Sequence, residues 1–106
     1  MTESGLLPNE LALMRQVFRR HPVTQVKLIG SRALATHRPN SDIELVVWGD
    51  VDLRGAGRLA EELDGLPLPY SFDVQHFGSI KRAALREQIE RAGVEIFANP
   101  GSSTGR

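Results

Sequence analysis

Hydrophobic and polar positions alternate along this chain in short, distinct blocks, and the blocks predict seven elements. After a lead-in that ends at Pro8, Leu11, Met14 and Phe18, with Leu13 and Val17 beside them, recur at helical spacing. Asn9 is the expected cap of this helix, which runs to about Arg20 before His21-Pro22 ends it. From Thr24 to Ile29 the period becomes two, with Val26 and Leu28 alternating with Gln25 and Lys27. A second strand follows at Ile43-Glu44-Leu45-Val46-Val47-Trp48. Asp52 is placed to cap a helix marked by Leu53, Ala56, Leu59, Ala60 and Leu63 and ending near Gly65.

Pro67 and Pro69 impose an extended approach to a third strand within Tyr70 to Phe77. Ser79 is then the expected cap of a helix reaching Ala92, with Ile80, Ala84, Leu85, Ile89 and Ala92 inward, and Gly93 stops it. Val94 to Phe97 reads as a short last strand. The order helix, strand, strand, helix, strand, helix, strand predicts an α/β (α+β) domain, a small mixed sheet with helices packed on it. One domain over residues 1–98 is expected, followed by a flexible tail over 99–106 rich in Gly and Ser.

Composition narrows the class. A chain of 106 residues with 41% hydrophobic content supports one core. Its 13 basic and 13 acidic residues cancel, which disfavours general nucleic-acid binding and attraction to anionic membranes. There is no cysteine, so disulfides and thiolate metal sites are excluded. The first residues lack the basic and apolar blocks of a signal peptide and no apolar run is long enough to span a bilayer, so a soluble, cytoplasmic protein is expected.

The chemistry is concentrated between Gly30 and Glu44. Gly30-Ser31 follows the first strand directly, and glycine there lets the backbone turn tightly and lets a ligand approach the main chain. Ser31 offers a hydroxyl, the following residues can form a helical turn with free N–H groups, and Arg32 adds positive charge. On the second strand Asp42 and Glu44 lie two apart, so a period of two sets both carboxylates on one face and Ile43 and Leu45 on the other. Hard, charged oxygens of this kind suit Mg2+ together with nucleotide phosphates. Taken singly, each feature also has a plain structural reading: a turn, a solvated strand face, a surface arginine. His21, His37 and His76 are scattered and without metal-ligand spacing, and surface roles are expected for all three.

Gly30-Ser31, ten residues, then Asp42-x-Glu44, with a later strand acid at Asp73, resembles the signature of the polymerase-beta-type nucleotidyltransferase superfamily. In particular it resembles the small stand-alone members, the minimal nucleotidyltransferases or MNT proteins, over roughly residues 10–97. One departure is Glu44, where MNT proteins commonly have Asp and the wider superfamily has either acid. The resemblance implies that Asp42, Glu44 and Asp73 are the catalytic, metal-binding residues for two Mg2+ ions. It also implies that Gly30, Ser31 and Arg32 bind the nucleotide, with ATP as substrate. It further implies transfer of AMP to a hydroxyl, most naturally a tyrosine of a small helical HEPN-type toxin, with this chain as the antitoxin of a toxin–antitoxin system. Two other roles stay open: neutralisation of the partner by binding alone, and adenylylation of a small molecule at a site completed by a homo-oligomer. The chain's only tyrosine, Tyr70, is expected to pack rather than to be modified.

Overall fold

In the computed structural model, which describes residues 6–30 and 42–99, the elements are α1 (Pro8–Arg19), β1 (Val23–Ile29), β2 (Ile43–Gly49), α2 (Leu53–Asp64), β3 (Phe72–His76), a 3-10 turn (Phe77–Ser79), α3 (Ala83–Ala92) and β4 (Val94–Ala98). The four strands form one mixed sheet in the order β3-β2-β1-β4. β1 pairs antiparallel with both β2 and β4, while β2 and β3 are parallel and joined through α2. The expected architecture is therefore the observed one. Among the described residues no helix is long and apolar enough to cross a membrane.

The two faces of the sheet are covered unequally. On one face α1 buries Met14, Val17 and Phe18, and α2 buries Ala56, Leu59 and Leu63, against Val26 and Leu28 of β1 and Ile43, Leu45 and Val47 of β2. Each fully buried aliphatic or aromatic side chain contributes roughly 1.5–3 kcal/mol, so this cluster supplies most of the stability. Phe18 meets Phe97 of β4 with ring centroids 5.4 Å apart. The opposite face carries a smaller cluster, Val46, Phe77 and Ile89, with Ile29, Trp48, Ile80 and Leu85 around it. It is covered by α3 and by Phe77 of the 3-10 turn.

Three helix starts show how tertiary contacts decide local structure. α1 begins at Pro8, with Leu7 and not Asn9 as the N-cap residue. Proline needs no donor at the first helical position, and Glu10, three residues after Leu7, reaches back to accept the Leu7 N–H at 3.0 Å. The Glu10 carboxylate, 9% exposed, also accepts the Tyr70 hydroxyl at 2.9 Å, so Tyr70 fastens α1 to the approach of β3. α2 starts as expected: the Asp52 carboxylate accepts the Gly55 N–H at 2.8 Å.

The start of α3 differs from the expectation. Ser79 closes the 3-10 turn and its hydroxyl pairs with His76 Nδ1 at 3.0 Å, and α3 begins only at Ala83. The cause is Phe77, which is drawn onto the sheet and stacks on Trp48 at 4.6 Å. The Arg86 guanidinium then lies 4.2 Å over the Phe77 ring and donates to the carbonyls of Phe77 and Ile80. Those carbonyls are thereby satisfied without a longer helix. Within α3 only Ile89 is fully buried, Leu85 is half-buried, and Ala84 and Ala92 are exposed.

Candidate active site

β1 and β2 run antiparallel so that Ile29 stands opposite Glu44, and the chain leaves β1 at Gly30 with φ +78°. This left-handed conformation is one that side-chain-bearing residues adopt at a cost. A Cβ at Gly30 would also sit 2.7 Å from Glu44 Oε2, so that the Glu44 side chain would have to swing aside. The Glu44 carboxylate thus lies directly against the backbone of the turn.

Asp42 immediately precedes β2 and is exposed; Glu44 is half-buried. Ile43 and Leu45 have no exposure and belong to the main core, so Glu44 projects to the opposite face, where Val46 joins the α3 cluster. In the parallel pairing of β2 with β3, Glu44 is the register partner of Asp73. Phe72 and Val74 pack on the main core, so Asp73 projects to the same face as Glu44 and is exposed there. Two of the acids named from the sequence, Glu44 and Asp73, are therefore set on one face by two adjacent strands, with Asp42 just before β2.

Their side chains, however, are not drawn together. Among the described residues no group of three or more His, Asp or Glu side chains is poised to hold a metal ion. For Glu44 the reason is visible: its longer side chain carries the carboxylate onto Gly30, toward β1 and away from β3. Ser31 and Arg32 lie outside the described residues.

Two cations on the same face are already engaged in structure. Lys27 Nζ lies 5.7 Å over the Trp48 ring and donates to the Glu90 carbonyl at 3.1 Å. Arg86 is held on Phe77 as described above. The row Lys27, Trp48, Phe77, Arg86 holds α3 and the 3-10 turn against the sheet. His76 is part-buried with Ser79, and His21 accompanies Glu62 at 3.0 Å, so neither histidine stands with the acids.

One feature of the site was not read from the sequence. A cavity of about 180 Å3 lies beside Glu44, bounded by Ile29 and Gly30 on the sheet side and by Leu85, Gln88, Ile89, Ala92 and Gly93 on the α3 side. The spacing of Leu85, Gln88, Ile89 and Ala92 is that of one helical face, which was the available signal. What it could not give was that this face stands off the sheet beside Gly30.

The sequence from residue 14 to residue 100 matches the family Polymerase beta, Nucleotidyltransferase. No curated protein sequence matches the chain. Among solved structures, the chain is similar to one of a toxin–antitoxin with AMP-PNP, at a TM-score of 0.69 and 21% identity, over 91% of this chain and 77% of that one. It is also similar to the MntA–HepT toxin–antitoxin structure, at 0.66 and 18% identity, over 91% of this chain and 76% of that one. A third is the complex of a tri-AMPylated HEPN toxin with its MNT antitoxin from Shewanella oneidensis, at 0.65 and 17% identity, over 91% and 76% of the two chains. With its fold, its acid-bearing strands and a match that spans most of its length, the chain belongs to the polymerase beta nucleotidyltransferase family.

Proposed function

We propose that this protein transfers AMP from ATP to a hydroxyl acceptor, a tyrosine of a HEPN-type partner protein, and thereby acts as the antitoxin of a toxin–antitoxin pair. The observation that carries the reading is the register of Glu44 with Asp73 beside the glycine turn at Gly30, in a chain of the nucleotidyltransferase family. The acceptor and partner are supported by the likeness to the AMP-PNP structure and to the complex with a tri-AMPylated HEPN toxin.

In this mechanism the backbone at Gly30, with Ser31 and Arg32 after it in sequence, holds the triphosphate of ATP. Asp42, Glu44 and Asp73 would hold Mg2+, which when bound neutralises phosphate charge and lowers the pKa of the acceptor hydroxyl. The acceptor oxygen bonds to the α-phosphorus, the bond from that phosphorus to the bridging oxygen breaks, and pyrophosphate leaves with the electron pair. Asp73, the exposed acid on β3, takes the acceptor's proton on a carboxylate oxygen. The cradle at Gly30 offsets the charge of the departing pyrophosphate.

The test is to incubate the protein with ATP labelled at the α-phosphate, Mg2+ and a HEPN-type protein. Label on a tyrosine of the partner, lost with Asp73→Ala, supports transfer. The placement of the Glu44 carboxylate on Gly30 favours one second reading, neutralisation by binding alone. That reading requires an Asp42→Ala variant to silence the partner fully with no label transferred.

A further inference from the structure

We propose that the cavity between α3 and the Gly30 turn receives the base of the nucleoside triphosphate, with adenine preferred. The inference rests on the nucleotidyl-transfer reading and goes beyond it by assigning the base a place. Gly30 and Glu44 belong both to the cavity wall and to the turn where the triphosphate is placed, so the cavity opens directly onto that site. Its other walls are apolar: Ile29 of β1 and Leu85, Ile89 and Ala92 of α3. A volume of about 180 Å3 is well below the usual range for a drug-sized ligand and matches one flat ring system.

Among the described residues, the one side-chain amide in the lining is Gln88, exposed on α3. An amide presents one acceptor and a pair of donors side by side, the combination that pairs with the N6 and N7 edge of adenine. Ile89, 2% exposed, and Gly93, the extended residue that follows α3, complete the lining. A Cβ at Gly93 would come within 2.6 Å of the Ile89 carbonyl and 3.0 Å of Lys27 Cδ, so this end of the cavity is tightly built. α3 is tied to the 3-10 turn by Arg86 on Phe77 and to β1 by Lys27 on the Glu90 carbonyl.

The test compares binding of Mg-ATP with that of Mg-tripolyphosphate, which lacks base and ribose, by titration calorimetry on the full chain. Ala92→Leu fills the cavity from an exposed helical position, and leucine keeps the helix. The wild-type chain is expected to bind ATP more tightly than tripolyphosphate, and Ala92→Leu to reduce that ratio about tenfold or more. Gln88→Leu, also exposed, is expected to erase the order of preference among ATP, GTP, CTP and UTP. If ATP outbinds tripolyphosphate and neither variant alters the ratio or the order, the base pocket is refuted while the proposed function stands. If neither variant changes ATP binding but Ala92→Leu stops transfer to the partner, the slot belongs to the acceptor ring and the proposal is wrong. Failure of wild type to bind either ligand removes both readings.

Discussion

Gly30→Ala combines two separable penalties. Gly30 has φ +78°, and an L side chain in this region costs roughly 1–2 kcal/mol. The added Cβ would also lie 2.7 Å from Glu44 Oε2 and 2.9 Å from Cδ. The second contact is with the far end of a flexible side chain, so Glu44 can swing aside at small cost to stability, and the backbone strain dominates unfolding. Thermal unfolding should therefore shift down by roughly 4 to 12 °C for a domain of this size. Nucleotide binding is affected differently, because both the turn and the Glu44 carboxylate are displaced: affinity for Mg-ATP should fall about tenfold or more, or at least 1.4 kcal/mol. Adding Glu44→Ala to Gly30→Ala removes the collision but leaves the strain, so the double variant should recover little thermal stability. A Gly30→Ala protein that melts with the wild type would refute the strain reasoning. Full recovery of stability in the double variant would show instead that the collision was the whole effect.

Three further outcomes follow from the described contacts. Ile89→Ala hollows the small cluster that seats α3, and chemical denaturation should show a loss near the low end of the usual 2–5 kcal/mol, about 2 kcal/mol, because this cluster is only partly enclosed. Tyr70→Phe deletes the hydroxyl bonded to Glu10 and should cost about 1 kcal/mol by the same measurement, with the Leu7 N–H still held. For Glu62, burial raises the carboxyl pKa, but the Arg20 hydrogen bond and the adjacent His21 outweigh it and hold the folded value below 4.5. The unfolded chain then binds more protons, so this stability is present above the ordinary carboxylate pKa and is lost as pH falls through the folded value. Acid titration of the melting temperature should show a shallower fall in Glu62→Gln than in wild type.

Much of this architecture was legible from local pattern. The alternation in β1 and β2 reports truly which side chains enter the main core, since Val26, Leu28, Ile43 and Leu45 have no exposure. The Asp52 cap was visible because its partner, Gly55, lies only three positions on in sequence. What escaped depends on partners far away in sequence. Asn9 lost the N-cap position to Leu7 because Pro8 and Glu10 make a better start, and Tyr70, 60 residues on, holds Glu10 there. Ser79 lost its cap because Phe77 stacks on Trp48 and Arg86 closes the turn. For the site, a period of two predicts Asp42 and Glu44 on one face, but only the parallel register sets Asp73 next to Glu44. The turn of the Glu44 carboxylate onto Gly30 was beyond sequence reasoning, because it is a choice among side-chain rotamers.

The most direct test of nucleotidyl transfer at this site is calorimetric titration of ATP into the purified protein with and without Mg2+, repeated with Asp42→Ala and Asp73→Ala. Saturable binding that requires Mg2+ and is lost in both variants, while their melting curves stay close to wild type, is the predicted result. Binding of equal strength in wild type and both variants would contradict the assignment of these acids.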